Sequence, residues 1–340
     1  MSIRSPAGSA SPLPLVLVTA TVPRACLAPL KKIARIVTCS GGGNTPLRAE
    51  VLRLAPKLSA IISQGELQVD AELLARAPGL RIVASASVGV DKLDLGLMAR
   101  HGVYATNAPD YFVEATADFT LGMIIALLRR LPKADRYVRA GQWRSFQPGA
   151  WDGRLLRDKT LGLVGYGAIG RAVARRAAGF GLKVIHYQRT RTAAPGYTPL
   201  NSLLARADIV SLHVPLNQDS RGMIGAAQLR KMKRGACLVN ISRGPVLDEA
   251  ALIKALASGR LSGAALDVFA DEPRVPLALR RRDNVVLTPH MGGGTRESRE
   301  QSCLTCARNV ALVLAGRRPD NLQNLPISSA LRKWRSPQNK

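Results

Sequence analysis

The chain has 340 residues, a hydrophobic content of 46% and a formal charge of +26 at neutral pH. That length exceeds what one hydrophobic core usually serves, so two domains of about 100–200 residues each are expected. The longest strongly apolar stretch, around Leu121–Leu128, falls short of the roughly 18 residues of a membrane span, and no nucleic-acid motif accompanies the basic charge, so no membrane and no nucleic-acid partner is expected.

Residues Met1–Pro14, rich in Ser, Pro and Ala, read as a loose tail and not as a signal peptide. Short β-branched runs then alternate with helical segments. In the first third the candidate strands are Leu15–Thr19, Arg35–Thr38, Ala60–Ser63, Arg81–Ser85 and Val103–Thr106, with helical stretches such as Asp70–Ala77 between them. This is the rhythm of a parallel sheet. Ala115–Leu131 reads as one long helix, and a polar stretch with Gly141, Pro148, Gly149 and Gly153 follows. A second series of strands is expected at Thr160–Val164, Lys183–Tyr187, Asp208–Val214, Ala236–Ile241, Gly263–Phe269 and Asn284–Thr288. The last helix, from about Thr295 to Ala315, is placed to return the chain to the first domain.

The fold class expected is therefore α/β, with two doubly wound parallel-sheet domains. A Rossmann cofactor domain (114–294) is inserted in a discontinuous, flavodoxin-like substrate domain (1–113 and 295–330), and a basic tail (331–340) ends the chain. The five cysteines, Cys26, Cys39, Cys237, Cys303 and Cys306, are an odd number. They suit reduced thiols in a cytoplasmic protein. Cys303 and Cys306 form a lone C-x-x-C in a helical segment without a second ligand pair, so no metal site is expected.

Gly165-Tyr166-Gly167-Ala168-Ile169-Gly170 is a G-x-G-x-x-G between an apolar run and an Ala- and Arg-rich helix, Arg171–Ala178. In that context it reads as a dinucleotide loop. The first glycine permits the tight turn, the second lets the backbone approach a pyrophosphate, and the third lets helix and strand pack closely. About 20 residues beyond such a loop an NAD site usually carries Asp or Glu. Here the strand ends Tyr187-Gln188-Arg189-Thr190-Arg191, with the acid missing and two arginines following. A guanidinium binds a 2′-phosphate that a carboxylate would repel. NADP(H) is thus favoured, with NAD(H) as the alternative.

Three further groups fall just past three successive strand ends: Arg243, Glu272 and His290. Doubly wound sheets bind ligands outside the carboxyl ends of their strands, so a cation, a carboxylate and an imidazole share one rim. A 2-oxo acid needs all three. Arg can hold its carboxylate with paired N–H donors. His can supply the proton its carbonyl oxygen gains as hydride reaches carbon. A carboxylate behind the His holds its tautomer. His101, His186 and His213 have no comparable partners and read as structural.

These features together resemble the D-isomer-specific 2-hydroxyacid dehydrogenase family. The resemblance rests on Ser87-Val88-Gly89-Val90-Asp91, Asn107-Ala108-Pro109-Asp110, Thr160–Gly170, Asn240-Ile241-Ser242-Arg243-Gly244, Ala265–Phe269 with Asp271-Glu272-Pro273, and Thr288-Pro289-His290, in order over residues 60–315. It implies that Arg243 binds and polarises substrate, that His290 is the acid/base and that Glu272 pairs with His290. It also implies that amides near Val88 and Gly89 hold the substrate carboxylate, that Asp267 helps place the nicotinamide, and that Val214, Pro215, Ser220, Ile241, His290 and Gly292 join the glycine loop in holding the cofactor. The segment around Trp143 and the Gly293–Glu297 run look most like glyoxylate/hydroxypyruvate reductases. Relatives of that branch form dimers in which a tryptophan reaches the neighbouring site, and Trp143 matches it, so a homodimer is expected. A dehydrogenase for a bulkier 2-oxo acid, such as hydroxyphenylpyruvate, is an alternative. So is a non-catalytic corepressor-like protein on the same fold.

Overall fold

The computed structural model describes residues 12–38, 47–191 and 193–326. Most of the expected N-terminal tail, Cys39, the stretch 327–330 and the basic tail 331–340 lie outside the described residues. The chain divides into two compact units: one ends at Phe112 and resumes at Thr295, and the other is Val113–Gly294.

In the first unit the strands are β1 (Leu15–Val18), β2 (Arg35–Thr38), β3 (Leu58–Ser63), β4 (Ile82–Ser85) and β5 (Tyr104–Thr106). They form a parallel sheet of order β2-β1-β3-β4-β5. β1, β3 and β4 are buried along nearly their whole length, as near-continuous apolar runs in a parallel sheet must be. The chain leaves β1 outward to β2 and then crosses back to β3, so the order reverses between β1 and β3. Asp70 and Asp94 cap the helices Ala71–Arg76 and Leu95–Arg100 by accepting from Leu73 N and Leu97 N. The final helix, Arg296–Leu314, starts at a Thr295 cap and buries Cys303, Cys306, Ala307 and Val310. Those side chains share one core with Cys26, Leu27, Val16 and Ile82, which ties the end of the chain to its beginning.

In the second unit the strands are β6 (Thr160–Val164), β7 (Lys183–Tyr187), β8 (Ile209–Leu212), β9 (Ala236–Asn240), β10 (Leu261–Leu266) and β11 (Val285–Leu287). They are parallel throughout, in the order β11-β10-β9-β8-β6-β7. Beyond β7 the chain adds one parallel bridge, Tyr197 to His186. Backbone bonds from His186 N to Gly196 O (2.9 Å) and from Thr198 N to His186 O (2.8 Å) flank it. At this edge the sheet is thus extended by a single paired residue. The order again reverses beside β6, between β6 and β8.

Several sequence-based boundaries are corrected. β8 and β10 stop at Leu212 and Leu266, where their register with Asn240 and Leu287 runs out. His213, Val214 and Asp267–Phe269 are therefore loop. The expected single helix Ala115–Leu131 is Val113–Leu128 followed by a separate helix, Leu131–Arg139. Arg130 between them is left-handed (φ 53), and Pro132, which lacks an N–H, sits in the first turn of the second helix. The apolar stretch is also longer than expected: Asp110–Leu128 spans 19 residues at mean hydropathy 1.5, enough by length and composition alone to cross a membrane. In this unit Leu121, Ile124 and Leu128 instead share a core with Leu161, Val239 and Ala265 of the sheet.

Candidate active site

At the carboxyl end of β9, Asn240 is fully buried and shapes the turn that follows. Its Oδ1 accepts from Ser242 N (3.1 Å) and Ser242 Oγ (2.8 Å), and its Nδ2 donates to Arg243 O (3.0 Å). Arg243 is presented from this turn, with Nη1 donating to Ser242 O at 2.8 Å. A Cβ on Gly244 would lie 1.9 Å from the Phe269 carbonyl, so only glycine lets this turn touch the chain after β10. That second segment carries Glu272, whose Oε1 accepts from Phe269 N at 3.0 Å.

Past β11 comes His290, with a left-handed backbone (φ 52). Its N–H donates to Asp267 O at 2.8 Å. Asp267 is the hub of this loop and is 1% exposed. Its carboxylate accepts from Thr288 Oγ1 (2.6 Å), Met291 N (2.9 Å) and Gly292 N (2.8 Å). The result is a His290 Nδ1 to Glu272 Oε2 separation of 2.8 Å. An ionised carboxylate only accepts, so Nδ1 is the donor, and Nε2 remains for other chemistry. Behind the pair, Glu249 accepts from Ala270 N at 2.7 Å. Burial pushes the Glu249 carboxyl up, and the charges of Asp271 and Glu272 add to that.

The glycine loop leaves β6 in the same unit. Gly165 is left-handed (φ 104), and a Cβ there would meet the His213 carbonyl at 2.5 Å. A Cβ on Gly170 would lie 2.3 Å from Gly165 O, whereas one on Gly167 would meet nothing within 4 Å. Helix Ala168–Gly179, which contains Ala168 and Ile169, starts from this open side. Tight packing behind and open space in front fit a pyrophosphate over the first N–H groups of the helix. Tyr166 stacks on the buried His186 at 3.6 Å between ring centroids. His213 donates to or accepts from Ser211 through Nε2 at 2.8 Å. Burial lowers the His213 pKa to about 4.

The remaining expected cofactor residues occupy this rim with different surroundings. Gln188 is half-buried, and Arg189, Thr190 and Arg191 are exposed. Arg189 forms an ion pair with Asp219. Val214 and Pro215 follow β8, and Ser220 Oγ closes their turn by donating to Pro215 O at 2.6 Å. Ile241 is buried against Gly292. Trp143 is 60% exposed and lies by a recess with Tyr137, Val138, Phe146 and Trp151.

In the other unit, Val88 and Gly89 follow β4. Asn107 Nδ2 donates to Val88 O (2.8 Å), Ser87 Oγ to Gly89 O (2.9 Å) and Ala108 N to Ser87 O (3.0 Å). In a trans peptide the N–H points opposite to the C=O. Each bond therefore fixes a peptide plane, and with it the direction of the N–H of Val88, Gly89 or Val90. Sequence reasoning passed over Asn107, Ser87, Asn240, Thr288 and Glu249 as site residues. All but Glu249 lie at or just past strand ends, which is the signal that could have found them.

The chain is similar to several known proteins. Residues 121–292 match the family described as D-isomer specific 2-hydroxyacid dehydrogenase, NAD binding domain. The chain is 40% identical over 323 residues to a glyoxylate reductase of Thermofilum pendens, covering 92% of this chain and 95% of that one. Among solved structures, a protein of Thermus thermophilus superposes with a TM-score of 0.85 at 39% identity, covering 91% of this chain and 99% of the other. An NADPH-dependent glyoxylate/hydroxypyruvate reductase from Sinorhizobium meliloti, in complex with NADP and malonate, superposes with a TM-score of 0.80 at 30% identity, covering 92% and 98%.

Proposed function

The chain belongs to the D-isomer specific 2-hydroxyacid dehydrogenase family, and we propose that it reduces a small 2-oxo acid of the glyoxylate/hydroxypyruvate type to the D-2-hydroxy acid with NAD(P)H. The observation that carries this reading is the 2.8 Å His290–Glu272 pair on the rim that also bears the open glycine loop. The bound dinucleotide supplies the hydride. Glu272 holds the Nδ1–H of His290, so Nε2 delivers the proton to the carbonyl oxygen. Arg243 offers its planar fork to the substrate carboxylate and the developing alkoxide. The N–H groups of Val88 and Gly89 bind that carboxylate, and Asp267 holds the nicotinamide end in place. The relatives named as glyoxylate and glyoxylate/hydroxypyruvate reductases support this substrate class.

Four finer readings accompany it. The strand order β2-β1-β3-β4-β5 supports a flavodoxin-like substrate domain in the first unit, with the cofactor domain in the second. NADPH is the favoured cofactor: Gln188 does not repel a 2′-phosphate, and Arg191 is exposed beside it. Arg189 exchanges Asp219 for the phosphate, at little cost because both partners of that pair are largely exposed. A homodimer is supported by the exposed apolar side chains Trp143, Phe146 (82%) and Leu155 (71%) in one stretch. The free cysteines Cys26, Cys237, Cys303 and Cys306 support a reducing, cytoplasmic setting.

The test is a kinetic panel of glyoxylate, hydroxypyruvate, pyruvate, phenylpyruvate and hydroxyphenylpyruvate, each with NADH and NADPH, on wild type, Arg189→Ala and Gln188→Asp. We expect turnover of the first two acids and an NADPH preference of roughly ten- to hundredfold, one charge-assisted bond's worth. The preference should shrink in Arg189→Ala and reverse in Gln188→Asp. No turnover of any acid would overturn the enzyme reading, and equal use of both cofactors would overturn the NADPH assignment alone.

A further inference from the structure

β6 and β7 lie side by side, with Val164 opposite Tyr187. The two loops that receive the dinucleotide under the reading above leave from their carboxyl ends. The glycine loop starts at Gly165, whose N–H donates to Tyr187 O at 2.8 Å. The second loop starts one residue past Tyr187, at Gln188, and carries Arg189 and Arg191. It returns to β7 at Gly196–Thr198, and both bonds of that return fall on one residue: His186 N donates to Gly196 O, and His186 O accepts from Thr198 N. Gly196 is left-handed (φ 91), and a Cβ there would meet Val184 O at 3.1 Å, so the returning chain runs close along the strand. The main chain of His186 thus closes the base of the arginine loop.

Its side chain reaches the other loop. His186 is 1% exposed. Its ring lies flat against Tyr166, the residue between the first two glycines, with centroids 3.6 Å apart and planes 10° from parallel. Tyr197, on the returning segment, meets the same imidazole edge-on at 6.1 Å and 72°. One residue therefore touches both loops. Neither nitrogen of the imidazole has a well-formed hydrogen bond among the described residues. Burying a polar ring without such bonds is costly, so the contacts that hold it here are those of its faces and edges. The Arg189–Asp219 ion pair, by contrast, joins two largely exposed side chains, and pairs of that kind hold a loop weakly.

We propose that His186, packed between Tyr166 and Tyr197, is a positioning residue that fixes the arginine loop relative to the glycine loop and so sets how strongly the 2′-phosphate of NADPH is recognised. This rests on the functional reading above, in which the glycine loop takes the pyrophosphate and the arginines meet the 2′-phosphate. A dinucleotide spans both loops, and a charge-assisted bond to phosphate forms only within a few tenths of an ångström of its preferred length. NADH lacks that phosphate, draws less on the arginine loop and tolerates its displacement.

The experiment compares wild type with His186→Leu, which removes the ring and keeps an apolar side chain, and with His186→Phe, which restores a flat face. Thermal unfolding checks that each variant is folded, and Tyr197→Leu carries the same test if His186→Leu is not. Fluorescence titrations give the affinities for NADPH and NADH, and kinetics with glyoxylate give kcat and KM for each cofactor. In His186→Leu the NADPH affinity should fall about tenfold, the scale of one aromatic contact, and the NADH affinity about threefold at most. The loss should lie in KM for NADPH more than in kcat. His186→Phe should restore most of the preference, and Tyr197→Leu should shrink it by less than His186→Leu does. Equal losses for both cofactors, an unchanged preference in His186→Leu, or a loss as deep in His186→Phe would overturn the proposal. A second measurement stands apart from the cofactor reading: tryptic cleavage after Arg189 and Arg191 in the ligand-free protein, read by mass spectrometry. It should speed up several-fold in His186→Leu and not in His186→Phe. If wild type binds both cofactors equally, or neither, the NADPH assignment fails and this cleavage alone decides: a faster rate upholds the anchoring by His186, and an unchanged rate rejects it.

Discussion

The carboxyl rims of the two sheets are built from different materials. On the six-stranded sheet, the His290 side chain is held by that of Glu272, while the side chains of Asp267 and Asn240 hold the main chain of the His290 loop and of the Arg243 turn. On the five-stranded sheet, Asn107 and Ser87 hold carbonyls, and with each carbonyl they fix the next main-chain N–H. The first rim can move a proton and carry charge; the second can recognise a small anion at fixed geometry. Under the proposed function, the contrast accounts for why the chemistry is assigned to one unit. Proton transfer needs a titratable group whose tautomer is locked, while binding a carboxylate needs only rigid donors.

The largest effect should come from breaking the first rim. His290→Gln removes the proposed proton donor and keeps the loop bonds made by the His290 main chain and Asp267. We expect kcat to fall about 100-fold or more, with dinucleotide binding, read by fluorescence titration, unchanged. Near-normal turnover in the folded variant would remove the proton-transfer role from this rim.

A second histidine on the same rim sharpens the comparison. His213 follows β8 and faces Ser211 instead of a carboxylate, and burial lowers its pKa from 6.5 to about 4. Above pH 6.5 it is neutral in folded and unfolded chains alike, and stability does not respond to it. As pH falls from 6.5 toward 4, the unfolded chain takes the proton and the folded one does not, so stability drops, and the effect levels off below 4. The full shift corresponds to about 3 kcal/mol. His213 as a whole residue is only half-buried, so a loss of about 1–2 kcal/mol between pH 7 and 5 is the expected size. Urea titrations at the two pH values would measure it, and His213→Asn should flatten that part of the profile. An equally steep profile in the variant would assign the acid sensitivity elsewhere.

The smallest effect tests the second rim. Asn107 is 6% exposed, and its Nδ2 bond to Val88 O orients the Gly89 N–H. Asn107→Ala loses about 1 kcal/mol of that positioning. It should raise KM for glyoxylate about fivefold with a smaller change in kcat. A kcat loss as deep as that of His290→Gln would mean that the two rims do not divide the work in this way.

Much of this was legible in the chain. Arg243, Glu272 and His290 each lie just past a strand end, and a period of strand and helix is enough to bring strand ends to one rim. The glycine loop was legible because close backbone approach leaves glycine no substitute. The break at Arg130 was harder to read, because the apolar pattern runs on across it and Pro132 marks only the start of the next helix. The β8 and β10 boundaries were overrun because apolar residues such as Val214 and Phe269 continue past the last paired residue. Pairing length is set by the neighbouring strands, which no local window contains.

What the sequence by itself determined is the list of parts: two parallel α/β units, a nucleotide loop, and a cation, an acid and an imidazole at strand ends. Local spacing carries this information, because strands and helices have fixed periods and doubly wound sheets put their ligands at one edge. What only the tertiary structure decided is how the parts are held. Asp267 reaches Met291 across 24 residues, Asn107 reaches Val88 across 19, and Thr19 reaches Glu66 across 47. Such bonds depend on the register of parallel strands joined by long crossovers. A hydrogen bond is decided over tenths of an ångström, a precision that sequence spacing does not carry and packed strands do.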